Sequence, residues 1–312
     1  MGRATGATAQ MLLKEETEYG TAPSGNYNAM RFLTSDLGAQ QNLIADEVLG
    51  TFRQPSDPAR DVIETSGTIA VPIDLRLIGW WLKGLLGAPV TTNPSDYLHT
   101  FVGAANTLPS LAIEIGHTLV PKYFMNVGCV VSQMQLQWQA SGQAQATVTV
   151  TAQNETAADT SAGGTPVDMG YQRFHQFQGK IDRGGAPLGN IVSVDMTINN
   201  NVDPARVIRA DGLIDGVDLG NLTATGSLTA RFADTVLHDL AVADTPVSLA
   251  LGWVIDADKQ LLITIPEVHL GRGRRNIQGP AGVQVTHDFQ IAKPDAGEAL
   301  TVALYNDVAA YA

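Results

Sequence analysis

Charge is what this chain has least of. Lys, Arg, Asp and Glu make up 16% of its 312 residues, against roughly 25% in an average soluble protein. A surface so poor in charge must be covered by neutral polar groups. Gln, Thr, Asn and Ser do alternate with Val, Leu and Ile through much of the chain. Such a surface can be buried against another protein with few charges to desolvate. The charges present are mostly acidic, 31 Asp and Glu against 19 Lys and Arg, a net of −12. That balance excludes a protein that grips nucleic acid, which needs a basic face to neutralise phosphates.

Cysteine is nearly absent. Cys129 stands alone, which excludes an intramolecular disulfide framework and any cysteine-cluster metal site, and fits a reducing compartment. Long apolar runs are missing too. The most apolar stretch, Leu75 to Leu86, is broken by Arg76 and Lys83 and falls short of the ~20 residues that span a bilayer. Met1 to Met11 has no basic region followed by an apolar run, so no signal peptide and no membrane partner are expected.

Catalytic constellations are lacking as well. His99, His117, His175, His238, His269 and His287 are scattered, with no pair at helical metal-ligand spacing. No nucleophile elbow, phosphate-binding loop or dinucleotide fingerprint occurs. Asp256 and Asp258 read as a turn between strands, because the ligand ladder is too short for calcium. No enzyme, cofactor or metal is expected. The only basic cluster, Arg272, Arg274 and Arg275, reads as a contact to an acidic neighbouring subunit, with a phosphate site as the alternative.

What the chain has in abundance is period-2 alternation. Ile63, Thr65, Gly67, Ile69, Val71 and Ile73 alternate with Glu64, Ser66 and Thr68. Met134, Leu136 and Trp138 alternate with Gln133, Gln135 and Gln137. Val192, Val194, Met196 and Ile198 alternate with Ser193, Asp195 and Thr197. Leu228 and Phe232 share a stretch with Ser227 and Thr229, and Val283, Val285 and Phe289 alternate with Gln284, Thr286 and Asp288. These are half-buried antiparallel strands, apolar on one face and polar on the other. Asp74 to Gly87 and the shorter Asp234 to Ala243 carry helical spacing instead, and are expected to cap the edge or face of a sheet. Trp80 and Trp81 on the first helix are expected to pack between subunits.

The order strand, long loop, strand, helix occurs twice. Leu37 to Leu82 runs beside Met196 to Ala241, aligning Asn42 with Asn201, Val48 with Val207 and Gly67 with Gly226. The apolar pattern matches, although identity is at background level. Ser110 to Ile113 resembles Ser248 to Leu251 further on. This reads as a diverged duplication: a first domain over 1–155 with an N-terminal arm, a linker over 156–171 rich in Ala, Thr, Ser and Gly, and a second domain over 172–312. Each copy carries a loop of nearly twenty residues, too long to be merely a connection. The apolar residues in these loops, Leu49, Phe52, Val207, Ile208, Leu213 and Ile214, imply a partner surface.

Several stretches, in order, resemble a family of long-tailed phage tail tube proteins of the two-domain type. They include Tyr19-Gly20-Thr21-Ala22-Pro23, Arg53-Gln54-Pro55-Ser56-Asp57-Pro58, Ser66-Gly67-Thr68-Ile69 and Leu82-Lys83-Gly84-Leu85-Leu86-Gly87. They continue through Phe174-His175-Gln176-Phe177-Gln178-Gly179 and Asn201-Val202-Asp203-Pro204-Ala205-Arg206 to Leu300-Thr301-Val302-Ala303-Leu304-Tyr305-Asn306-Asp307.

The resemblance implies an all-β fold with minor α: two tandem tail-tube-type β-sandwich or barrel domains, each with a flanking short helix and a long hairpin loop. It implies a structural virion protein, assembled in the host bacterial cytoplasm, whose rings stack head to tail into a channel for DNA. Two folds per chain point to homotrimeric, pseudo-hexameric rings, with hexamers as the alternative. Implied partners are further copies, a tape measure protein, and tail terminator and baseplate proteins. DNA would pass without specific binding, because a mildly negative wall repels phosphates.

Glu64, Ser66, Thr68, Gln133, Gln135, Gln137, Ser193, Asp195, Thr197, Ser227, Thr229, Gln284, Thr286 and Asp288 are expected to face the lumen. Leu49, Phe52, Arg53, Gln54, Asp57, Arg60, Asp203, Arg206, Val207 and Ile208 are expected to carry ring stacking. Other readings are a terminator, a baseplate ring, a contractile or secretion-type inner tube, or a β-sandwich adhesin.

Overall fold

The computed structural model describes residues 2–48, 56–93, 96–103, 105–277 and 279–311. Leu49, Phe52, Arg53 and Gln54 lie outside them. Fifteen longer strands and two helices order the chain. They are β1 (Ala9–Glu15), β2 (Gly38–Ile44), β3 (Ala59–Pro72), α1 (Ile78–Leu86), β4 (Tyr97–Val102), β5 (Leu111–His117), β6 (Lys122–Gln139), β7 (Gln145–Ala152) and β8 (Asn154–Ala158). There follow β9 (Gly179–Arg183), β10 (Ile191–Asn199), β11 (Thr223–Arg231), α2 (Val236–Ala243), β12 (Val247–Asp256), β13 (Lys259–Leu270), β14 (Gln284–Ala292) and β15 (Thr301–Asn306).

One antiparallel sheet runs β2-β3-β7-β6-β10-β11-β14. The N-terminal half of β6 leaves it to pair with β5 and β8, and β1 lies beyond β5. β13 pairs with β14 through its last residues, and elsewhere with β12 and β15; β9 lies beyond β12. Strands make up 52% of the described residues, and the alternation in the sequence is the cause. In β7, Val148 and Val150 are buried while Thr147 and Thr149 are half-exposed, so apolar burial drives only one face inward.

The two halves use the same neighbours. β2 pairs with β3 and β3 with β7, as β10 pairs with β11 and β11 with β14. Gly67 lies opposite Val150, and Gly226 opposite Phe289. Both glycines mark a close approach. A Cβ on Gly67 would stand 2.4 Å from the Leu37 Cα, and one on Gly226 2.0 Å from the Asp195 carbonyl oxygen.

The halves also share a core. β6 of the first pairs with β10 of the second through Gln133–Gln139, and β4 pairs with β15 at the far end of the chain. The buried residues from Met11 to Tyr311 form one apolar cluster, beside a small one around Tyr27. The expected linker opens as a strand, because Thr156 and Ala157 continue β8 along β6.

The tryptophan expectation needs correcting. Trp80 and Trp81 are buried within the chain and are not available between subunits. The reason is the C-terminal segment, which folds over α1. The Tyr311 ring stands edge-on to Trp80 at 5.8 Å, Lys83 Nζ donates to the Tyr311 carbonyl at 2.6 Å, and Asn306 Nδ2 donates to the Leu75 carbonyl at 2.8 Å. α1 begins later than expected. Asp74 precedes it and accepts the backbone N–H groups of Arg76 and Leu77 at 2.8 and 2.7 Å.

Candidate assembly surfaces

The seven-strand sheet brings one set of polar residues onto one face. Rows run across it by register. Thr68, Thr149, Gln133 and Asn199 form one row. Thr147, Gln135, Thr197, Thr225 and Gln290 form another, and Gln137, Asp195, Ser227 and Asp288 a third. Gln139, Ser193, Thr229 and Thr286 follow, and Thr229 and Thr286 are joined by a 2.9 Å hydroxyl contact. Glu64, Ser66 and Gln284 lie on the same face toward the ends of β3 and β14. None of these polar residues is buried; the alternate residues Ile69, Val148, Met134, Leu136, Val194, Met196, Leu228 and Phe289 are.

Gln139, Thr147, Thr149, Asn199, Thr225 and Gln290 share this face and were not among the residues expected to line the lumen. Period 2 could have found them; knowing which strands adjoin could not come from it. Phe232 departs from expectation in the other direction. It was expected to face inward and is 42% exposed, because β11 ends at Arg231 and its side chain lies under the Arg275 guanidinium, 5.6 Å away.

The second long loop is built rather than loose. Asp203–Ala205 pairs with Gly216–Asp218. Arg209 bonds both Asp211, at 2.7 and 3.0 Å, and Asp215, at 2.8 Å. The guanidinium beside Asp211 holds that carboxyl down at about 2. The loop is laid against the first hairpin. Arg206 pairs with Glu64, and Ile63 N donates to the Gly212 carbonyl at 3.0 Å. Val207 and Ile208 are left exposed at its tip, with Leu43, Ile44 and Val62 exposed on the hairpin. Asp57, Arg60 and Asp203 are exposed too. Ile214 was expected to join a partner surface, yet it is buried, and its carbonyl accepts from Gln153 Nε2 at 3.2 Å.

Among the described residues the sheet has an open edge at β2, and at its other end the open edge is the outer side of the residues that flank β14. β2 pairs on one side only. β14 is flanked by residues 271–275, through Gly271 N donating to the Asp288 carbonyl at 2.7 Å and a bridge between Arg275 and Val285. Beyond them no strand follows among the described residues. Unpaired edges invite pairing with another chain. Among the described residues no group of His, Cys, Asp and Glu could hold a metal, and no helix is long and apolar enough to cross a membrane. Asp258 N closes the expected turn on Asp256 at 3.0 Å. All four tryptophans are buried, so they offer no platform for a carbohydrate ring.

A broad sheet, apolar behind, neutral and polar in front and open at both edges, defines a class of β-proteins that assemble edge to edge. The family profile described as phage tail tube protein matches residues 6–291, nearly the whole chain, and the protein belongs to that family. No individual curated protein matches it in sequence. Its role is structural: it self-assembles into the tail tube of the virion.

Proposed function

We propose that three copies of this chain close into a ring, that rings stack head to tail, and that the polar face of the seven-strand sheet lines the channel through which DNA passes. The observation that carries this reading is the sheet itself, continuous across both halves of one chain and open at both edges. Each half, 1–155 and 172–312, counts as one tube fold. Two folds per chain need three chains where single-fold subunits need six, and a cyclic interface must close to be finite.

In this reading Glu64, Asp195 and Asp288 give the lumen a mildly acidic lining that DNA slides past. Val207 and Ile208, with Asp57, Arg60, Asp203 and Arg206, meet the next ring. Assembly takes place in the host cytoplasm around a tape measure protein, with terminator and baseplate proteins at the two ends. Negative-stain electron microscopy of the purified protein tests it. Filaments with a central channel and threefold rings are expected. Rings of six chains would refute the trimer, and protein that forms no filaments would refute the reading as a whole.

A further inference from the structure

The contact between the two halves of one chain is a template for the contact between chains. At the internal contact β10 lies beside the C-terminal half of β6, with Asn199 opposite Gln133, Thr197 opposite Gln135 and Asp195 opposite Gln137. The duplication supplies the counterpart of each partner. Gly38 pairs with Ser66 as Thr197 pairs with Thr225, so β2 is the counterpart of β10. Ala146 stands opposite Leu136 as Val285 stands opposite Arg275. Val150 stands opposite Val131 as Phe289 stands opposite Leu270. Residues 271–277 are therefore the counterpart of the half of β6 that receives β10, and their outer side has no strand beside it among the described residues.

The burial pattern points the same way. Trp138 is 2% exposed at the internal contact, and its counterpart Ile277 is 79% exposed. Ile73 is fully buried, and its counterpart Phe232 is 42% exposed. Both make the same backbone bond, Ile73 N to the Ala144 carbonyl at 3.1 Å and Phe232 N to the Val283 carbonyl at 2.9 Å. In the first half Phe174 then lies across this pair, donating to the Ile73 carbonyl and accepting from Ala144 N. In the second half no described residue does so, and a cavity of about 220 Å³ lined by Arg231, Phe232, His238, Arg275 and His287 remains. Groups that the internal contact buries have counterparts left uncovered, which is what a missing neighbour leaves.

We infer that the outer edge of residues 271–277 takes β2 of a second copy as an antiparallel strand in the register of the internal contact. Arg272 then stands opposite Gln40 of the second copy, Arg274 opposite Gly38, and Asn276 opposite Asp36. Gln40 lies directly beside Glu64 on β3, so this register brings Arg272, which donates to the Val242 carbonyl of its own chain at 3.3 Å, within one strand of a carboxylate that Arg206 already pairs. Gly38 leaves room for the Arg274 side chain between Asp36 and Gln40. The segment ahead of β1 also matches the segment ahead of β9. Each ends in a 3-10 turn, Gly6–Thr8 and Gln176–Gln178, and residues 2–7 are exposed. That arm of the second copy is placed to cover Phe232 as Phe174 covers Ile73.

This inference rests on the ring reading, and cysteine cross-linking separates the two. The native thiol at Cys129 is fully buried and does not compete. A Gln40→Cys and Arg272→Cys double variant, allowed to form tubes reduced and then oxidised, should give a covalent species of three chains as its largest product on a non-reducing gel. Gln40→Cys with Asn276→Cys, out of register, should give none, since a disulfide needs Cα atoms within about 7 Å. If the first double variant does not assemble when reduced, Asp36→Cys with Asn276→Cys tests the same register. Cross-linking of only the out-of-register pair overturns the register. Tubes without any cross-link overturn the edge assignment and leave the tube standing. Wild-type protein that makes no tubes removes both.

Discussion

Trp138 and Trp253 lie face to face, their ring centroids 4.6 Å apart and their planes 10° from parallel. One comes from β6 and the other from β12, so the stack joins the two halves of the chain. Each indole N–H is satisfied: Trp138 donates to the Gly252 carbonyl at 3.2 Å, and Trp253 to Gln176 Oε1 at 3.4 Å. Removing either ring empties a buried site shared by both halves. Trp253→Ala should cost about 3–5 kcal/mol and lower the midpoint of a single cooperative thermal transition. Two separate transitions would show that the halves are held independently.

Gly67 and Gly226 should tolerate no side chain. Gly226→Ala places a methyl against the Asp195 carbonyl and the Phe289 ring, with a destabilisation of about 1–3 kcal/mol from overpacking. Gly67→Ala meets the Leu37 backbone in the same way. Denaturant unfolding measures both, and wild-type stability in either variant would contradict the close approach.

The exposed tip of the second loop should govern elongation and not folding. A Val207→Asp, Ile208→Asp variant keeps the Arg209 bonds to Asp211 and Asp215, so the loop retains its shape. Circular dichroism should match the wild type, while electron microscopy should show rings or short stacks in place of tubes. Long tubes from this variant would remove these two residues from the stacking contact.

The same loop should respond to acid in a defined direction. Asp211 is held near 2 in the folded chain by Arg209, below the ordinary carboxylate range. A depressed carboxylate contributes stability that is fully present above its unfolded value and is lost as pH falls through the folded one. The staple should therefore survive to about pH 4 and weaken toward pH 2. An NMR titration of the Asp211 carboxyl should show this, and Arg209→Ala should return it to its ordinary range.

A lumen of reversed charge should hold DNA. Asp195→Lys and Asp288→Lys together leave the apolar side of the sheet and the Arg206–Glu64 pair untouched, so tubes should still form. Tubes carrying them should bind DNA in a salt-dependent manner, because each lysine that meets a phosphate releases a counterion. Wild-type tubes should not. Sedimentation of tubes with labelled DNA at two salt concentrations reads the difference.

The sequence alone determined which residues face which way along the strands that keep period 2. Period 2 is a local property, and Gln133, Gln135 and Gln137 turn away from Met134, Leu136 and Trp138 whatever the strand pairs with. It also determined the two helices, the turn at Asp256 and the order of elements, since each depends on neighbours in the chain. The tertiary structure alone decided which strands adjoin: that β6 of one half takes β10 of the other, that Tyr311 closes over Trp80, and that Ile214 turns inward. These contacts join residues far apart in sequence, and no local pattern encodes their partners. They also decided what is left open. Phe232 and Ile277 read as ordinary apolar residues in the sequence. Only the pairing of strands reveals that their counterparts Ile73 and Trp138 are covered, and that they are not.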